Sequence, residues 1–217
     1  MRIYLHIGPE SCGAERIQQV LDDKRDNLLG RGVLVPNCLG GRNHTRLFMA
    51  MTDPEHVDLL RCNRGFITAQ KQGLLRDKLT TELQNEIART APHTMIITAA
   101  QLAGALTSPT ELHRLKELLN RHSTDIRIVA WVQEQSQVLA RHYARQVLEG
   151  RTASLATELN LAGTEDWWHE RFNDLMAQEP FRALFGRLHM APESRPLSRA
   201  AALHLIGHAT RARTQSG

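Results

Sequence analysis

Aromatic residues are scarce in this chain. Phe, Trp and Tyr make up 5% of 217 residues, so Leu, Ile, Val and Ala must supply most of any core. Cysteine is scarcer still, with Cys12, Cys38 and Cys62 standing alone at wide spacing. An odd count with no CxxC pair argues against a disulfide framework and a zinc knuckle, and a reducing compartment is the simpler expectation. No apolar run approaches the roughly 18 residues that cross a bilayer. The opening apolar stretch is broken by His6 and Glu10, which is not the pattern of a signal peptide. A cytoplasmic protein without a membrane partner is therefore expected. Internal repeats and low-complexity segments are also missing. The net charge is +4 with eleven histidines counted as neutral, but Lys and Arg are scattered and form no block. That distribution suits a small anionic ligand and gives little ground for nucleic-acid binding.

What the chain does contain is alternation. Arg2 to Ile7 reads as a short strand, and Ile17, Val20, Leu21, Leu28 and Leu29 mark an amphipathic helix from about Ala14 to Leu29, closed by Gly30 and Gly32. Val33 to Val35 reads as a strand, His44 to Met51 as a brief helix, and Asp53-Pro54 as the opening of another. Leu75, Leu79, Leu83 and Ile87 form one face of a long helix over 68–89, weakened locally by Gly73. Thr94 to Thr98 is a continuous apolar run, as in a strand buried on both faces. Ser108-Pro109-Thr110-Glu111 is a capping box with Pro at the first helical position, ahead of Leu112, Leu115, Leu118 and Leu119. Ile126 to Val132 is the clearest strand, followed by a helix over Ser136 to Glu149. Strands alternating with helices predict an α/β fold with a parallel sheet flanked by helices. With 41% hydrophobic residues the whole chain, 1–217, is expected to form one domain. Its expected appendages are a mobile connection near 151–163, a helix carrying Trp167 and Trp168, a short strand at Leu188 to Met190, and a helical tail over 198–217.

The stretch with the most chemical content is the turn Gly8-Pro9-Glu10-Ser11-Cys12-Gly13. A strand, a glycine-bearing turn and a helix in succession can cradle an anion, because free backbone N–H groups and the helix dipole both face the turn. The alternative is an ordinary turn with Ser11 as helix cap. The same string resembles the opening of bacterial sulfotransferases, which reads approximately H-I-G-x-x-K-T-G-T-T-x-x-Q. His6, Ile7, Gly8, Gly13 and Gln18 fall in step with it. Gly32-Val33-Leu34-Val35-Pro36, Asn43-His44 with Leu47, Thr94 to Leu102, Trp131 to Tyr143 and Phe172 to Arg195 resemble later segments of that family in the same order. The resemblance implies a P-loop-like sulfotransferase architecture and 3′-phosphoadenosine 5′-phosphosulfate as donor. It also implies sulfuryl transfer to a hydroxyl of a carbohydrate or small molecule, with no metal. It assigns donor binding to Gly8, Ser11, Cys12, Gly13, Ala14 and Glu15, and 3′-phosphate contacts to Gln133 and Arg141. His44 is the candidate base; its alternative role is one structural hydrogen bond.

Departures from the family pattern fall on functional positions. Ser11 stands where the family has lysine, Ala14 and Glu15 where it has threonine-type residues, Ala100 where it has an acid, and Gln133 where it has arginine. Loss of the lysine removes a cation worth several kcal/mol to a sulfuryl-transfer transition state, and Glu15 would repel a phosphosulfate. Only Pro196 to Gly217 follow the last matching segment, which predicts a donor pocket without a complete acceptor pocket. Two readings therefore stand side by side. One is a sulfotransferase-like enzyme with impaired transfer; the other is a non-catalytic nucleotide- or partner-binding module on the same fold. Oligomeric state is not legible. His204 and His208 read as surface histidines, Arg211 and Arg213 as tail charges, and Cys12 as a tolerated thiol.

Overall fold

Five parallel strands carry the fold, in the spatial order β2-β3-β1-β4-β5. They are β1 (Arg2–His6), β2 (Val33–Leu34), β3 (Thr94–Thr98), β4 (Asp125–Val132) and β5 (Leu188–Pro192). The computed structural model describes residues 1–8, 13–102, 106, 108–132, 140, 143–144, 147–148, 150, 152–154, 156–157 and 188–192. The expected elements over 164–187 and 198–217, most of the helix over 136–149 and most of the connection over 151–163 lie outside those residues. The strand expected at Leu188 extends to Pro192 and pairs with β4, Ile128 facing Leu188.

β1 is central, pairing with β3 from Arg2↔Thr94 to His6↔Thr98 and with β4 from Arg2↔Asp125 to His6↔Val129. Because side chains alternate across a strand, β1 to β4 each feed two cores. Ile3, Leu5 and Ile7 join Met95, Ile97, Ile126 and Ile128 on one face. That face is covered by α3 (Thr45–Met51), α5 (Ala69–Thr90) and α6 (Pro109–Asn120), which bring Leu47, Leu75, Leu79, Leu83, Leu112 and Leu115. Tyr4, Ile96 and Val129 point the other way and pack with Ile17, Leu21 and Leu28 of α1 (Ala14–Asp23) and α2 (Arg25–Leu29). Helices on both faces of a parallel sheet make this an α/β fold. Strand β3 is buried at all five positions, as its apolar run predicts.

The helix expected over Ala14 to Leu29 is two helices, broken at Lys24, whose φ of −108° leaves the helical range. Past the break, the Arg25 guanidinium bonds the Val35 carbonyl, Asp22 (2.9 Å) and the Gly41 carbonyl (3.1 Å), tying the helix to the loop after β2. Of the two glycines expected to close this segment, Gly32 is the constrained one: its φ is +76°, and an added Cβ would lie 2.6 Å from the His93 ring. Gly30 is ordinary helical backbone. The helix expected at Asp53-Pro54 starts later, as α4 (Leu59–Arg64), where Asp58 accepts the Arg61 amide at 2.7 Å. Asp53 cannot cap it, because its carboxylate is held by Ser108 (2.7 Å) and Arg114 (2.9 Å). The capping box of α6 forms as expected, with Ser108 and Glu111 exchanging both bonds. Among the described residues no helix is long and apolar enough to cross a membrane, and Cys38 and Cys62 are free thiols.

Candidate functional site

The order of the strands selects one edge of the sheet. From β1 the chain leaves for the β2 edge, whereas from β4 it leaves towards β5 on the opposite side. Where adjacent strands send their connections in opposite directions, a crevice opens outside their carboxyl ends. β1 delivers Gly8 and Gly13 to this crevice, and β4 ends at Val132, one residue before Gln133. Ser11, Cys12, Gln133 and Arg141 themselves lie outside the described residues.

Of the expected donor loop, Gly8 is buried, and Gly13 adopts a left-handed conformation (φ 78°, ψ 17°) as the cap residue of α1. The cap position thus falls on Gly13, which has no side chain to bond the first turn. Ala14 is buried, and Glu15 is exposed in the first turn. A helix start capped by glycine offers its backbone amides and positive dipole end to another partner.

Beneath this turn, two histidines converge on one threonine. The Thr98 hydroxyl lies 2.9 Å from Nδ1 of His6, the last residue of β1. The Thr98 amide donates to His44 Nδ1 at 3.0 Å, and the His44 amide donates back to the Thr98 carbonyl at 2.9 Å. Both rings are fully buried. Burial pushes His6 down to about 4. It pushes His44 to about 3, with help from the Arg25 guanidinium; the Pro36 carbonyl and Asp22 pull weakly the other way. Both imidazoles are therefore neutral near pH 7. A neutral His44 that accepts at Nδ1 carries its proton on Nε2, so its one lone pair is already used. In this arrangement His44 makes the structural hydrogen bond; taking a proton from an acceptor would first require that bond to break.

Several buried polar atoms near this edge lack a partner: His6 Nε2, His44 Nε2, Gln18 Nε2 and Asn43 Oδ1. The Pro36 carbonyl favours a charged His44 ring without completing a bond to Nε2. Asn43 is anchored through its Nδ2, which donates to Gln101 at 3.0 Å. His6 and Gln18 are in step with the sulfotransferase-like string, yet nothing in that comparison marks them as binding residues. Strand alternation and helical spacing do place both on faces that are otherwise apolar, and a polar residue on such a face is the signal that finds them.

A second polar cluster lies at the start of α6. Asp53, His56 and Glu111 bring potential metal-ligand atoms within 4.8 Å of one another. Their oxygens are engaged by protein donors. Glu111 Oε1 accepts from the Asp53 amide (2.7 Å) and lies 3.0 Å from His56 Nδ1, and Oε2 accepts from the Ser108 amide (3.1 Å). Asp53 is held by Ser108, Thr110 and Arg114. The Arg114 cation on Asp53 opposes a metal ion there, so this cluster ties loop 52–58 to α6.

The chain matches no protein-family model and no curated protein. A crystal structure of an uncharacterized protein from Eubacterium ventriosum aligns over 96% of this chain and 98% of that one, at 9% identity and a TM-score of 0.40. A similarity of that strength bears on neither the site nor its chemistry.

Proposed function

We propose that this protein binds an anionic nucleotide of the 3′-phosphoadenosine 5′-phosphosulfate class at the carboxyl end of β1, on a P-loop-like, sulfotransferase-type domain. The observation that carries this reading is the central position of β1 at the switch in strand order, with a left-handed glycine starting α1 directly after it. Backbone donors at such a helix start bind phosphate and sulfate groups without a bound cation. The β4 edge, leading into Gln133 and Arg141, supplies the second wall of the same crevice.

On this reading transfer to a carbohydrate or small-molecule hydroxyl is weak. Ser11 offers a hydroxyl where charge on the leaving oxygen calls for a cation. The occupied lone pair of His44 favours the second reading, a non-catalytic nucleotide- or partner-binding module. Calorimetric titration with 3′-phosphoadenosine 5′-phosphate tests binding: micromolar affinity is expected, and no heat up to millimolar ligand with folded protein rejects the reading. Ser11→Lys then separates the two forms. It raises turnover at least tenfold in a weak enzyme and leaves a module inert.

A further inference from the structure

We propose that His6 and Gln18 form the inner wall of the anion site, their Nε2 hydrogens bonding oxygens of a sulfate- or phosphate-class group seated at the start of α1. This rests on the nucleotide-binding reading and adds to it two residues that supply donors where the lysine is missing.

Topology brings the two together. His6 shares the face of β1 with Tyr4, which packs against Ile17 and Leu21 of α1. α1 starts eight residues after His6, and its packing on Tyr4 puts it on the face of the sheet that carries His6. Gln18 lies on the buried stripe of α1 with Ala14, Ile17 and Leu21. Long helical side chains lie over the turn that precedes their own Cα, which directs Gln18 back towards Ala14 and Gly13. Gln18 is 3% exposed and His6 0%, and neither Nε2 has a partner.

An unmet buried donor costs about 1–3 kcal/mol, and that cost is recovered when an acceptor arrives. In the tautomer that serves an anion, the Thr98 hydroxyl donates to Nδ1 and the His6 proton sits on Nε2. Imidazole N–H, carboxamide N–H and a helix start with glycine at its cap all call for an acceptor, and an oxyanion is the ligand class that offers several at once.

Gln18→Leu tests this, because it removes the donor at similar volume. The variant is expected to fold at least as stably as the parent, since it loses an unmet polar group. Its affinity for 3′-phosphoadenosine 5′-phosphate should fall about tenfold or more. In ¹⁵N spectra of the parent protein, His6 should carry its proton on Nε2. Its resonance should move on adding the nucleotide, and also with inorganic sulfate or inorganic phosphate titrated separately. Nucleotide affinity unchanged in Gln18→Leu overturns the inference and leaves the nucleotide reading standing. A His6 signal that is Nδ1-protonated, or that none of the anions moves, overturns it as well, and is measurable even if the variant does not fold. No anion binding at all by the parent protein removes both.

Discussion

Two polar clusters in this fold are built and finished differently. Around α6, Glu111 is fully buried, yet both its oxygens are matched by donors. The Arg61 guanidinium, also fully buried, donates to the carbonyls of Phe66 (3.0 Å), Asp53 (2.8 Å), His56 (2.6 Å) and Pro54 (3.3 Å). Arg76 and Arg114 donate to carbonyls at the end of α3, where the helix dipole is negative. Gln72 joins them through Nε2, although its Oε1 is unmatched. At the carboxyl end of β1 the pattern is reversed: His6, Gln18, His44 and Asn43 each keep a sealed polar atom with no partner. Native interiors rarely leave such groups unmet. A matched network of charges holds a loop in place, whereas an unmatched group of neutral polar atoms, three ring or amide nitrogens and the Asn43 oxygen, is poised for something that arrives later.

The largest effect should come from breaking the matched side. Arg61→Met removes a buried cation and strands four carbonyls, and should cost about 3 kcal/mol or more. Urea unfolding should show a lower midpoint with an unchanged slope. Nucleotide affinity of the folded variant should stay within about twofold, because the network does not reach the β1 crevice. A loss under roughly 1 kcal/mol would mean that water takes over the carbonyls and that the contrast between the clusters is weaker than the bonding implies.

Acid probes the unmatched side. His6 and His44 ionise at about 4 and about 3 in the folded chain, against an ordinary value of 6.5. Between those limits the unfolded chain binds the extra protons. The stability held by the neutral rings is therefore complete above pH 6.5 and falls as pH drops towards 4. The slope is about 1.4 kcal/mol per pH unit for each ring. Asp53 and Asp125, held below the usual carboxylate range by Arg114 and Arg2 after opposing burial is overcome, add their loss only at lower pH. Because burial and Arg121 also lower His122, His6→Gln should remove somewhat less than half the slope between pH 6 and 5. A flat stability profile across that interval would show that the rings are more hydrated than their burial implies.

How much of this was legible beforehand depended on the range of the interaction. The Ser108-to-Glu111 box, the Leu75, Leu79 and Leu83 stripe and the apolar β3 run are local patterns, and they read through to structure. So did Ala14 as the first residue of α1. Asp53 was misread as a helix start because its partners, Ser108, Thr110 and Arg114, lie 55 to 61 residues away. Arg61 and Gln72 bond backbone carbonyls, which carry no sequence signature. The pairing of His6 with Thr98 needs the parallel register of β1 and β3, and no periodicity within either strand specifies it.

The smallest expected effect is also the cleanest test of whether the two clusters are independent. Gly73 lies inside α5, one residue beyond Gln72, and a Cβ built there meets nothing within 4 Å. Its φ is not positive, so alanine fits without strain. Gly73→Ala should stabilise the protein by up to about 1 kcal/mol through helix propensity alone, seen as a modest rise in the urea midpoint. Because α5 packs on the face of the sheet opposite α1, anion affinity should be unchanged. If stiffening α5 altered it, the matched cluster would be transmitting to the β1 crevice through α3, whose N-terminal residue Thr45 follows His44 and whose end is bonded by Gln72. The contrast between a scaffold and a site would then give way to a single coupled unit.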